Sequence, residues 1–261
     1  MSDKRRALVT GGAVRIGAAI CRVLARVGCV VVVHYRQSAE AAEALVDALK
    51  GMGGNAWAVQ GELESIAGCD ALFDAAVEAA GGPLTVLVNN ASLFNKERLT
   101  SSTAESTARE FNVNFFAPMH LIRRLGCMCA ECPVGSQACV VNLLDRRITG
   151  YEGGCTPYLL SKKSLAELTR VLAVELAPGV RVNGVAPGAI LPPPGEGDDY
   201  LLDRAGTIPL RCQCTPESVA DAVAYLIEAP TVTGQIIYVD GGQHLLGAGA
   251  SVTPVREGEH G

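Results

Sequence analysis

The chain has 261 residues, of which 49% are hydrophobic and 19% charged, and it carries a net charge of −5. That length suits one large α/β domain, the composition suits a buried core rather than a disordered chain, and the acidic balance gives no electrostatic ground for a nucleic-acid partner. No apolar run approaches the ~20 residues that span a bilayer, and MSDKRRALVTGG passes from charge straight into a strand, unlike a secretory signal, so a cytoplasmic protein without a membrane partner is expected.

Short apolar runs alternate with helical patterns along the chain. RALVTG reads as a strand and is followed by a helix over about Gly17–Val27. CVVVVHY is the second strand, with a helix through SAEAAEALVDALKGMG after it. NAWAVQGE is a strand and CDALFDAAVEAAGG a helix. LTVLVNNAS is a strand, and the next long helix is expected over Asn112–Arg124. ACVVNLLD, a helix over Tyr158–Leu176, VRVNGVAPG, a helix through PESVADAVAYLIEA and QIIYVDGG complete the series. Runs of Val, Ile and Leu without alternation indicate a sheet buried on both faces. Strands joined by helices imply parallel order with right-handed crossovers. The expectation is one domain over residues 1–261: a doubly wound α/β Rossmann fold with about seven parallel strands.

Two segments break the rhythm. Residues 188–211, rich in Pro and Gly, follow the carboxyl end of a strand, where open α/β sheets bind ligands, and read as a substrate loop. The tail, residues 246–261, lacks periodicity and is open to mobility or to docking on a partner subunit. Ten cysteines are scattered along the chain. Cys127, Cys129 and Cys132 cluster but lack a second pair at zinc-ribbon spacing, and Cys212 with Cys214 offers less, so no metal is expected.

The chemistry concentrates at strand ends. Gly11, Arg15, Ile16 and Gly17 lie in a glycine loop between a strand and a helix, where backbone N–H groups can hold a pyrophosphate. The second strand ends in His34-Tyr35-Arg36-Gln37-Ser38. This segment has no acid for ribose hydroxyls but offers a guanidinium and a hydroxyl suited to a 2′-phosphate, which favours NADPH over NADH. Asn90, Ala91 and Ser92 end the fourth strand, with Phe94 beyond them as either a lid over the core or a stacking platform. Tyr158 and Lys162 are four apart, on one helix face. An ammonium beside a phenol favours the phenolate, so the Tyr158 pKa is expected to fall and the residue to act as an acid during hydride transfer. Asp145, among apolar groups, is expected to have a raised pKa and to orient or supply the proton.

With these residues in view, the chain resembles the short-chain dehydrogenase/reductase family over nearly its whole length. The glycine loop, NNA at the fourth strand, Tyr158-x-x-x-Lys162 and the Pro187-Gly188 pair fall in that family's order. The resemblance implies that Lys162 bonds the nicotinamide ribose, that Glu62 and the adjoining Leu63 lie near the adenine, and that Asn114 supports a proton relay through a backbone-bound water. Arg15, His34 to Ser38, NNAS with Phe94, and Asp145 in place of the usual serine resemble the pteridine reductase branch, which includes alternative dihydrofolate reductases. That branch implies a pterin or folate substrate stacked on Phe94, Ser92 and Arg15 bonding the pterin edge or the cofactor phosphates, and Asp145 and Tyr158 as the proton-delivery pair. The family resemblance implies a homotetramer or homodimer assembled through the helices at Asn112–Arg124 and Tyr158–Leu176, where Ala166 and Ala173 would permit close packing, though they would serve a monomer core equally. Two other readings compete: a carbonyl reductase acting on a 3-oxoacyl thioester, sugar or other ketone, and an NADPH-binding sensor without turnover.

Overall fold

The structure, a computed structural model, describes residues 4–130, 137–190, 208–212 and 214–246. In chain order its elements begin with β1 (Arg6–Val9), α1 (Arg15–Arg26), β2 (Val30–Tyr35), α2 (Ala39–Gly51), β3 (Asn55–Gln60), α3 (Ile66–Ala80) and β4 (Val86–Asn89). There follow α4 (Ala104–Phe111), a π turn (Asn112–Phe116), α5 (Ala117–Ala130), β5 (Ala138–Leu143), a 3₁₀ turn (Arg146–Thr149) and α6 (Thr156–Glu175). The series closes with β6 (Val180–Pro187), α7 (Pro216–Glu228), β7 (Ile236–Val239) and a 3₁₀ turn (Gln243–Leu245). The seven strands form one sheet in the order β3-β2-β1-β4-β5-β6-β7, and every pair is parallel.

Burial on both faces explains the unbroken apolar strands. Successive strand side chains point to opposite faces, so Ala7 and Val9 enter one core with Val31 and Val33, while Leu8 enters the other with Val30 and Val32. Helices α1, α2 and α7 contribute to the first core, and α3 and α5 to the second. β1 pairs with β2 on one side and β4 on the other. The chain order reverses there, opening a crevice beyond the carboxyl ends of the strands.

The helix expected over Asn112–Arg124 is longer and interrupted. It begins with α4 at Ala104, whose capping box joins the Thr103 side chain to the Ser106 N–H and the Ser106 side chain to the Thr103 N–H. α4 buries only Glu110, so it has no apolar stripe by which periodicity could find it. Residues Asn112–Phe116 then form a π turn before α5. A single widened turn of this kind redirects one side chain; here Asn114 is fully buried and reaches the loop after β4. Most of the expected substrate loop, residues 191–207, lies outside the described residues, as do Cys132 and the tail from residue 247. Ala166 and Ala173 are buried within this chain's own core. The described cysteines other than Cys129 are free thiols, and among the described residues no group of His, Cys, Asp and Glu could hold a metal ion. No described helix is long and apolar enough to cross a membrane.

Candidate active site

A cleft of about 500 Å³ opens at the crevice and joins segments far apart in sequence. Gly11, Arg15, Ile16 and Gly17 line one wall, His34, Arg36, Glu62 and Leu63 one end, and Asn90 to Phe94 with Tyr158 the other. Its size falls within the ~300–1,000 Å³ usual for ligand sites. Tyr35 instead packs half-buried against the α1 side of the sheet, and Ser38 is exposed at the start of α2 without a side-chain capping bond. Pro187 is buried at the end of β6, and Gly188 donates its N–H to Val239 O at 2.9 Å.

The glycine loop is held by backbone fit. A Cβ at Gly17 would lie 2.2 Å from Gly11 O and 2.8 Å from Asn90 Nδ2, a collision that backbone atoms cannot relieve cheaply. Asn90 Nδ2 donates to Thr10 O and Gly11 O, at 2.9 and 3.0 Å, tying the fourth-strand loop to the first. Arg15 has φ of +53°, a left-handed conformation that residues with a side chain seldom adopt.

His34 lines the cleft and also holds the glycine loop. Its Nδ1 accepts the Gly11 N–H at 3.0 Å, which leaves the Nε2–H to donate to Gly61 O at 3.3 Å. Burial pushes its pKa down to about 4, against the opposing bond to Gly61, so the ring is neutral and that tautomer is fixed. Arg36 Nη1 meets Glu64 Oε1 at 2.9 Å, and Arg109 Nε meets the same oxygen at 2.8 Å. The guanidinium expected for a 2′-phosphate thus faces the cleft already paired to a carboxylate. Glu64 and Arg109 were not legible in the sequence, since β3, α4 and their loops meet only in the fold.

Asn114 holds the other wall. Its Oδ1 accepts from Leu93 N–H at 2.8 Å and Ser92 Oγ at 3.1 Å, while Nδ2 donates to Leu93 O at 2.9 Å and Ser161 Oγ at 3.1 Å. With four bonds inside the protein, the side chain fixes the Ser92–Leu93 loop. Ser92 retains hydroxyl acceptor capacity toward the cleft.

Tyr158, Lys162 and Asp145 depart from expectation in informative ways. Tyr158 O–H donates to Asp145 Oδ2 at 2.9 Å. Its pKa lies well above the ordinary phenol value, because burial strips water from the phenolate and the Asp145 charge and hydrogen bond oppose ionisation. This reverses the expected lowering. Lys162, although on the same helix, donates to Leu143 O at 2.8 Å and stands 5.9 Å from the Tyr158 ring centre. Burial pushes Lys162 down to about 8, with the Asp145 charge acting in the other direction.

Asp145 is not surrounded by apolar groups. Its Oδ1 accepts the Arg147 N–H at 2.8 Å, and its Oδ2 meets Arg147 Nη1 at 3.0 Å as well as the Tyr158 hydroxyl. Phe94 completes the arrangement with its ring centre 4.7 Å from that of Tyr158, nearly perpendicular, and 46% exposed. Arg147 went unnoticed in the sequence; the signal was two arginines directly after a strand-end carboxylate, in LLDRR.

A doubly wound parallel sheet, a glycine loop at its reversal point and a Tyr158–Lys162 pair below the cleft define a short-chain dehydrogenase/reductase, and the chain belongs to that family. Residues 12–244 match the family model described as enoyl-(acyl carrier protein) reductase. FolM alternative dihydrofolate reductase 1 from Brucella canis, complexed with NADP, is similar with a TM-score of 0.87 and 35% identity, over 97% of each chain. Pteridine reductase 1 of Leishmania tarentolae is 33% identical across 92% of this chain and 96% of its own. 3beta-hydroxysteroid dehydrogenase 1 of Eggerthella lenta is 32% identical across 91% of this chain and 93% of its own.

Proposed function

We propose that this protein is an NADPH-dependent reductase that transfers hydride to a carbon of a C=N bond in an oxidised pterin, either a dihydropterin or a dihydrofolate. The observation that carries this reading is Asp145 at hydrogen-bond distance from Tyr158, with the half-exposed Phe94 ring beside them. A carboxylate there would repel the alkoxide that forms when a ketone is reduced. It is compatible with a nitrogen acceptor, which gains a proton and forms no alkoxide. The similarity to proteins named alternative dihydrofolate reductase and pteridine reductase supports the same choice.

The residues present fit a nicotinamide dinucleotide phosphate. The missing Cβ at Gly17 keeps the loop closed against Gly11, α1 begins beside it with no acid in its first turn, and Arg36 faces the same cleft. Bound NADPH supplies the hydride. Gly11, Arg15, Ile16 and Gly17 would hold its phosphates, Arg36 with Ser38 the 2′-phosphate, and Glu62 with Leu63 the adenine end. Asn90, Ala91, Pro187 and Gly188 would line the nicotinamide end, with the Lys162 ammonium on the ribose. Arg15, Ser92 and Phe94 would bind and orient the pterin. Tyr158 delivers the proton to the substrate nitrogen: its O–H bond breaks as the N–H bond forms. We infer that copies of the chain associate through the outer face of α5 and α6, where Phe116, Met119 and Val171 are exposed beside an apolar hollow of about 840 Å³.

The test is NADPH oxidation with dihydrobiopterin, dihydrofolate and an acetoacetyl thioester in parallel. Turnover of a pterin but not of the thioester is expected. The reverse result would establish the carbonyl-reductase reading, which the hydroxysteroid dehydrogenase relative favours. NADPH binding without turnover of any substrate would establish the sensor.

A further inference from the structure

We propose that Arg147 is a positioning residue for proton delivery: it holds the Asp145 carboxylate as an acceptor aimed at the Tyr158 hydroxyl, and Glu152 holds Arg147. The inference rests on the reductase reading above and adds a residue to it.

The geometry is a closed ring of side chains. Asp145 caps the 3₁₀ turn through Oδ1, which accepts the Arg147 N–H, so the carboxylate cannot rotate without breaking that bond. The same residue's guanidinium then takes Oδ2 through Nη1, on the oxygen that also receives Tyr158. A guanidinium is a rigid fork of donors, and a second arm is already used: Arg147 Nε donates to Glu152 Oε2 at 2.8 Å. Glu152 is itself fixed by Arg146 Nη1 on its other oxygen at 3.1 Å. The guanidinium carbon lies 5.7 Å from the Phe94 ring centre, and Phe94 meets the Tyr158 ring edge to face. Phe94, Tyr158, Asp145 and Arg147 therefore each touch two others of the set.

This arrangement assigns the proton. Asp145 accepts three hydrogen bonds, two from Arg147 and one from Tyr158, so its place in the ring is that of an acceptor. Tyr158 is the donor. When its O–H bond breaks, the electron pair stays on the phenolic oxygen, beside a carboxylate already carrying a negative charge. Arg147, one-quarter exposed and bonded to that carboxylate, is the cation that offsets the pair. Solvent returns the proton to Tyr158 after turnover.

The experiment uses the full chain with Arg147→Met, Arg147→Lys and Glu152→Gln. Arg147→Met should lower kcat by about tenfold or more while the pterin KM and the NADPH Kd stay within about threefold. Arg147→Lys should restore part of the loss, which a merely architectural arginine would not require. With carbon-13 at the tyrosine Cζ, the Tyr158 resonance, assigned through Tyr158→Phe, should shift in Arg147→Met without any substrate. Wild-type kcat together with an unshifted Tyr158 resonance would overturn the proposal. Should Arg147→Met fail to fold, Glu152→Gln decides in its place, since it keeps the cation but releases its anchor: lowered kcat supports the assignment and unchanged kcat refutes it. If the wild type reduces no pterin, the function falls, while the resonance still decides the role of Arg147.

Discussion

The Tyr158 hydroxyl donates to Asp145 Oδ2 at 2.9 Å, linking a buried helix residue to a carboxylate just past the end of β5. On the proposed reading, Asp145, which also accepts from Arg147, would orient the Tyr158 hydroxyl. Asp145→Ala should therefore reduce kcat by about a hundredfold, within the usual range for general acid–base assistance. NADPH affinity, measured by fluorescence titration, should stay within about threefold. Turnover at the wild-type level would remove Asp145 from the mechanism.

Arg36 and Glu64 give a second prediction. The carboxylate that fixes Arg36 also stands near any 2′-phosphate the guanidinium holds. Arg36→Met should weaken NADPH by about tenfold, the worth of one charge-assisted hydrogen bond, and leave NADH nearly unchanged. Glu64→Gln should tighten NADPH. Isothermal titration with both cofactors reads each change, and equal losses for NADPH and NADH in Arg36→Met would count against a 2′-phosphate role.

His34 makes the glycine loop sensitive to acid. Its folded pKa of about 4 lies below the ordinary value of 6.5. Above 6.5 both folded and unfolded states are neutral and its full contribution is present. As pH falls from 6.5 toward 4 the unfolded chain binds the proton first, so stability is lost across that window. The loss should reach about 2 kcal/mol by about pH 5, given ~1.4 kcal/mol per pKa unit. His34→Gln, compared by urea denaturation at neutral and acid pH, should lack that component.

Lys162 acts in the alkaline range. Its folded pKa of about 8 is depressed from 10.5. Between these values the unfolded chain holds a proton that the folded chain has released, so this residue's contribution becomes more favourable as pH rises. The stability of wild type relative to Lys162→Met should increase by about 2 kcal/mol between about pH 7 and pH 9.5. Over the same range the free enzyme loses the ammonium, and NADPH binding should weaken above about pH 8. A relative stability that is flat with pH would show that Lys162 is not buried as described.

Some of this was legible in the chain because it depends on local pattern. Strands such as VVVVHY carry no alternation, and the fold buries both of their faces. The glycine loop was recognisable because Gly17 has no room for a Cβ, a requirement written into residue type. Helix α4 escaped because it is polar and is defined by a capping box rather than an apolar stripe. The fall expected for the Tyr158 pKa was wrong for a different reason. The four-residue spacing put Lys162 on the right face, but Leu143 O captured the ammonium and burial governed the phenol.

By itself the sequence determined the doubly wound sheet and the position of the glycine loop, since periodicity and residue type are properties of neighbouring positions. Only the tertiary structure decided that Glu64 holds both Arg36 and Arg109, that His34 supports the loop as a neutral ring, and that Arg147 stands between Asp145, Glu152 and Phe94. Those facts depend on which charges meet and how much water burial removes. Such distances exist only once β2, β3, α4 and the loops beyond β4 and β5 have been brought to one edge of the sheet.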